Sequence, residues 1–146
     1  MKIFWLTGQP GAGKTEIAKA ILRKHDDWFN VDGDDIRDIF DNKDYSKQGR
    51  YQNIKLAQSI SEFLYLKDKY VVVSLVSPYR ELREEFKEKI GDDLVEIYVH
   101  TTEDRGKNKY HVEGYEEPLE NFIDLDTTNR TVEQSLEALN QIIFLY

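Results

Sequence analysis

Hydrophobic residues along the chain fall into short unbroken runs that alternate with stretches of helical spacing. Lys2–Thr7 (KIFWLT) is apolar without alternation and ends at a glycine, which predicts a strand buried on both faces of a parallel sheet. Ile17, Ala18, Ile21 and Leu22 then recur at helical intervals, predicting a helix from Lys14 to about His25. Asp27–Val31 predicts a second strand, Asp32-Gly33-Asp34 a turn, and Ile36, Ile39 and Phe40 a helical segment after it. Tyr45–Leu66 has the longest helical pattern, with Ser46 placed to cap it. Tyr70–Val76 (YVVVSLV) is the strongest strand signal. Ser77 and Pro78 then suit a cap and first turn for a helix that closes at Gly91. Leu94–Val99 predicts another strand, and His100–Asn121 is polar and aperiodic, a loop or lid. Phe122–Leu125 predicts a short last strand, and Thr131 with Gln134 makes a capping box for a final helix to about Phe144.

Strands alternating with helices predict an α/β fold of three layers, a mainly parallel sheet with helices on both sides and a ligand crevice at the strands' C-terminal ends. Gly8–Thr15, Asp32, Asp34, Ser77 and the lid all follow strands, so they are expected to line one crevice. The 146 residues suit one domain, with a lid at about 101–121.

The segment Gly8, Gln9, Pro10, Gly11, Ala12, Gly13, Lys14, Thr15 satisfies GxxxxGK[ST] between a strand and a helix, the setting of a P-loop NTPase fold. Glycines let backbone N–H groups turn toward phosphate oxygens. Lys14 then reaches the β- and γ-phosphates of ATP, and Thr15 can ligate Mg²⁺. Asp32 and Asp34 could hold a metal-bound water or accept the proton of an attacking hydroxyl; the plainer role for Asp32 is a helix cap. Arg37, Arg50, Lys55 and Arg80 could meet an anionic acceptor. Tyr45, Tyr79, Tyr110 and Tyr115 could stack on a purine. His25, His100 and His111 lack the spacing of metal ligands.

The net charge of −8 makes a nucleic-acid partner a poor expectation, while leaving room for a small anionic ligand in a locally basic cleft. The chain has no cysteine, which points to a reducing, cytoplasmic setting, and its short apolar N-terminal run is not a membrane span.

The GQPGAGKT loop, Asp32–Arg37 (DGDDIR among them), YSKQGRYQNI from Tyr45, SLVSPYRELR from Ser74, VEIYV before the lid and LDT at Leu125–Thr127 together resemble the adenylylsulfate kinase family. The resemblance implies transfer of the γ-phosphate of ATP to the ribose 3′-hydroxyl of adenosine 5′-phosphosulfate. It implies that Asp34 and Arg37 contact the sulfonucleotide and that Asp34 also orients or deprotonates the hydroxyl and helps hold Mg²⁺. Arg50 and Asn53 match the family's substrate-binding pair, and Tyr45 stands where the family has Phe. Val76 and Ser77 match an isoleucine-serine pair beside the substrate, and Lys109 and Tyr110 fall near the lid's Lys-Gly-Phe. Lys14, Asp34, Asp32 and Ser77 form the expected catalytic set, and a homodimer is expected as in many members. Two departures stand out: the lid is shorter, with Glu103–Lys109 in place of a basic helix, and Lys55 stands where the family has arginine. The same loop and aspartate-bearing strand end also look like zeta-toxin-type sugar-nucleotide kinases and polynucleotide kinases. A nucleotide-binding protein without turnover is the remaining alternative.

Overall fold

The computed structural model describes residues 1–143 and Leu145. Five parallel strands form one sheet in the order β2-β3-β1-β4-β5: β1 Ile3–Thr7, β2 Phe29–Asp32, β3 Val71–Ser74, β4 Leu94–His100 and β5 Ile123–Asp126. Among the described residues five α-helices connect and flank them: α1 Lys14–Leu22, α2 Gly33–Ile39, α3 Lys47–Leu66, α4 Arg80–Ile90 and α5 Val132–Ile143.

The unbroken apolar runs reflect burial on both faces. Within β1, Phe4 and Leu6 pack with Ile17, Ile21, Leu136 and Leu139 of α1 and α5, while Ile3 and Trp5 pack with Ile54, Ala57, Leu82 and Phe86 of α3 and α4. Successive residues of a strand point to opposite faces, so a strand between two helical layers needs an apolar residue at every position. Register aligns Leu6 with Ser74 and Ile97, and Asp32 with Ser74, so the C-terminal ends of β1, β2 and β3 open onto the same edge of the sheet.

Several boundaries differ from the sequence reading. The second strand starts at Phe29, because Trp28 N donates to His25 O and holds 25–28 in a turn. Asp32-Gly33-Asp34 is no free turn: Asp32 ends β2 and caps α2, which starts at Gly33. The third strand stops at Ser74, where its partner Asp32 leaves for α2. Ser77 does not cap α4; it sits at φ 47, and Tyr79 holds the N-cap position without a side-chain bond. The first helix ends at Leu22, and β4 and β5 each run one residue further, to His100 and Asp126. Ser46 accepts from Gly49 N, and Thr131 and Gln134 exchange the two bonds of a capping box. The final helix is described to Ile143, and Phe144 lies outside the described residues. No helix among them is long and apolar enough to cross a membrane.

Candidate active site

Between β1 and α1 the chain folds as a phosphate-binding loop. Gly8 lies at φ 155, and a Cβ there would stand 2.1 Å from Val99 O, so no other residue fits. Gly13, at φ 112, turns the chain into α1. Lys14 is buried, its Nζ donating to Gly8 O at 2.7 Å and Gln9 O at 2.9 Å. Burial lowers its pKa to about 8, against the opposing pull of Asp32 and then Asp34. A buried ammonium held only by neutral carbonyls is ready to exchange them for phosphate oxygens, which balance its charge.

Asp32 sits at the centre of a small polar cluster. Its carboxylate accepts from Asp34 N at 2.9 Å, Ser74 Oγ at 2.9 Å and Thr15 Oγ1 at 3.4 Å. It is therefore a helix cap and also a neighbour of the loop threonine. Asp34, one turn-position on, opens into the cleft with its pKa raised, first by desolvation, then by the charges of Asp32 and Asp38; Arg37 opposes this.

One cleft of about 1370 Å³ is lined by Lys14, Thr15, Asp32, Asp34, Arg37, Tyr45, Arg50, Asn53, Val76, Ser77, Lys109 and Tyr110 together. Pro10, Gly11 and Gly13 of the loop also reach its wall. Arg37 is partly committed: its Nη1 donates to Asn42 O, Asn42 Oδ1 and Asp44 O, and its guanidinium lies 4.0 Å from the Tyr45 ring centroid. Asn53 donates to Gly33 O at 3.3 Å, which leaves its Oδ1 buried and without a partner, as is Ser77 Oγ. Unpaired polar atoms in a cleft are costly unless a ligand completes them.

Four other sequence candidates lie elsewhere. Lys55 pairs with Glu85, and Arg80 donates to Glu117 O, so neither cation lines the cleft. Tyr79 packs against Tyr51. Tyr115 is hydrogen-bonded to Thr7 Oγ1 at 2.8 Å and stacks on Tyr98, outside the cleft lining. Two of the three histidines have structural partners: His25 stacks on Trp28, and His100 bonds Asp124, whereas His111 lines the cleft.

Sequence reasoning missed Arg105. Its Nη1 donates to Gly11 O, Ala12 O and Thr127 Oγ1, each at 3.1 Å, and its Nη2 to Thr127 O and Glu103. Thr127 Oγ1 also donates to Ala12 O at 2.7 Å. Arg105, which also lines the cleft, thus ties segment 101–121 to the phosphate loop across 94 positions of sequence. The LDT motif signalled Thr127, and nothing local signalled Arg105. Gln9 and the backbone of Val112 exchange two hydrogen bonds over 103 positions, a pairing with no local sequence signal.

The chain matches the family model described as adenylylsulphate kinase over residues 1–125. An adenylyl-sulfate kinase of Pseudomonas aeruginosa is 31% identical over 144 residues, covering 90% of this chain and 72% of that protein. One of Gloeothece citriformis is 42% identical over 100 residues, covering 65% of this chain and 56% of that protein, so the match spans little more than half of the latter's length. In fold, the chain is similar to a Mycobacterium tuberculosis APS kinase in complex with AMPPNP and APS, with a TM-score of 0.81 at 22% identity over 99% of this chain and 96% of that one.

Proposed function

Because the chain belongs to the adenylylsulfate kinase family, we propose that it transfers the γ-phosphate of ATP to the ribose 3′-hydroxyl of adenosine 5′-phosphosulfate. The products are 3′-phosphoadenosine 5′-phosphosulfate and ADP. The observation that carries this reading is one cleft lined by Lys14 and Thr15 of the loop together with the exposed Asp34 and with Asn53 and Ser77, whose Oδ1 and Oγ are buried and unpaired.

The loop backbone and Lys14 hold the triphosphate, the ammonium leaving Gly8 O and Gln9 O for phosphate oxygens. Arg37, Arg50 and Asn53 hold the sulfonucleotide, with Tyr45, Val76, Lys109 and Tyr110 around it and Ser77 supplying a hydroxyl. Asp34 accepts the proton of the 3′-hydroxyl as its oxygen bonds to the γ-phosphorus and the bond to the ADP oxygen breaks. Its raised pKa suits that task.

No group of three or more His, Asp or Glu among the described residues could hold a metal unaided. A Mg²⁺ shared with phosphates needs only one or two protein oxygens, and Thr15 Oγ1, Asp32 Oδ2 and Asp34 are of the right hard-oxygen kind. When bound, Mg²⁺ neutralises charge on the β- and γ-phosphate oxygens. Residues 1–146 are read as one kinase domain with 101–121 as its lid, working in the cytoplasm as a homodimer.

The test is a coupled assay of ADP release with Mg-ATP and purified protein. Release is expected to require adenosine 5′-phosphosulfate and to vanish in Lys14→Ala. ADP formation driven instead by a UDP-sugar or a 5′-hydroxyl oligonucleotide, or by no acceptor in the panel, overturns the assignment.

A further inference from the structure

The short lid is fastened to the phosphate loop rather than left hanging over it. Gln9 Nε2 donates to Val112 O at 2.9 Å, and Val112 N donates to Gln9 Oε1 at 2.8 Å. A side-chain amide that exchanges both bonds with one backbone residue mimics a strand neighbour, and it fixes position as well as distance. Val112 is buried, although the lid around it is exposed.

Two further ties bracket this one. Before it, Arg105 grips Gly11 O and Ala12 O. After it, Glu116 N donates to Pro78 O at 3.0 Å, and Arg83 Nη2 donates to Glu116 O. Residues 106–111 therefore form an arch whose two feet both stand on the phosphate loop. A single 3₁₀ turn, Asn108–Tyr110, stiffens it, and Lys107, Lys109, Tyr110 and His111 face the cleft from it. Arg105 anchors one foot and Gln9 the other.

Gln9 also touches the chemistry from its backbone side, because its carbonyl accepts from Lys14 Nζ at 2.9 Å. One residue thus joins the lysine that meets the phosphates to the lid segment that faces the acceptor. We propose that Gln9 is a positioning residue that latches the short lid to the phosphate loop, so that the acceptor wall carried by residues 107–111 is set by the loop itself. This replaces the length and basic helix that a longer lid would use to cover the cleft. The proposal rests on the kinase reading for its kinetic consequence but not for its structural one, and the test separates the two.

Gln9→Met keeps side-chain length and removes both bonds. Hydrogen exchange read at single amides should show Val112 N losing protection at least tenfold. The β3 amides of Val71–Val73 should keep theirs, which certifies the fold. In the kinase assay the KM for the acceptor should rise about tenfold, while the KM for Mg-ATP stays within about twofold. Should Gln9→Met lose β3 protection, Gln9→Glu serves instead: it keeps the acceptor for Val112 N and should hold that amide's protection while Tyr110 and His111 exchange faster. Unchanged Val112 exchange in the folded Met variant overturns the latch. A parallel rise of both KM values also overturns it, since that marks damage to the loop rather than release of the lid. Loss of Val112 protection in a protein that phosphorylates no sulfonucleotide leaves the latch standing and removes only the kinase reading.

Discussion

Arg83 Nε donates to Glu96 Oε2 at 2.7 Å, and both side chains are only 1% exposed. The other carboxylate oxygen takes Lys87 Nζ at 2.7 Å. Burial pulls the Lys87 pKa down, but its hydrogen bonds to Glu96 and Glu84 outweigh that and leave it raised. The remaining guanidinium nitrogens hold the carbonyls of Ser77 at 2.6 Å and Glu116 at 2.5 Å, so this buried cluster ties Ser77, on the cleft wall, to the segment around Glu116. Glu96→Gln leaves Arg83 buried without a balancing charge and Lys87 with only the more exposed Glu84 as its partner. It should lower unfolding free energy by about 3 kcal/mol, read as a shift of the urea midpoint at constant slope.

Lys14 titrates where the protein can be handled. Its pKa of about 8 lies below that of the unfolded chain, so between about pH 8 and 10.5 the unfolded state holds a proton that the folded state has released. Lys14 therefore costs stability at neutral pH, and the cost is relieved as pH rises through that window. Binding of a triphosphate reverses the shift by supplying negative charge. Calorimetry in buffers of different ionisation enthalpy should register uptake of roughly half a proton on ATP binding near pH 8, falling to none at pH 6. Equal uptake at both values would contradict this assignment of Lys14.

Strand positions were legible because β1, β3 and β4 are buried on both faces and admit almost nothing polar, and the capping signals at Ser46 and Thr131 act within three residues. The buried charges were not. Glu96, in the middle of LVEIYV, and Arg83 and Lys87, one helical turn apart on α4, look like ordinary surface residues until β4 and α4 are docked. The same holds for Arg105, whose partners lie near residues 11 and 127. Ser77 reads as a cap in the sequence because Ser-Pro before a helical pattern has the local chemistry of one. Ties from Thr7 Oγ1 and Arg83 to its carbonyl instead draw it into the left-handed region.

Asp34 should set the acid limb of the pH–rate profile. Its carboxyl is held above the ordinary carboxylate range, by desolvation first and then by Asp32 and Asp38, and a base must be ionised to accept a proton. Activity is therefore expected to fall as pH drops through that raised value. Asp38→Asn removes one repulsive charge and should move the limb to lower pH. Asp34→Asn should cut kcat by about a hundredfold or more, with the KM for ATP nearly unchanged. An acid limb that stays fixed in Asp38→Asn argues against Asp34 as the titrating group.

Arg105→Ala removes the donor shared by Gly11 O, Ala12 O and Thr127 while leaving every group in the loop that points toward phosphate. The loop should loosen without losing its lysine. The expected result is a roughly tenfold rise in the KM for Mg-ATP with a smaller change in kcat, because charge-assisted bonds of this kind are each worth about 1.5–3 kcal/mol and the loop's other ties remain. A fall in kcat at unchanged KM would instead put Arg105 among the groups that act on the transferring phosphate.

Ser77 separates stability from function. Its Oγ is buried without a partner, and its backbone sits at φ 47, a conformation that costs a residue with a side chain about 1–2 kcal/mol. Nothing in the folded protein rewards the hydroxyl, so removing it should not weaken the fold. Ser77→Ala relieves an unsatisfied polar group and should leave the unfolding free energy equal or higher by about 1 kcal/mol. The same change should raise the acceptor KM about tenfold, since a bound ligand is what completes that hydroxyl. Thermal unfolding of the ligand-free variant and initial rates with varied acceptor read the two effects separately. A variant that is less stable without ligand yet binds acceptor normally would make Ser77 a structural residue.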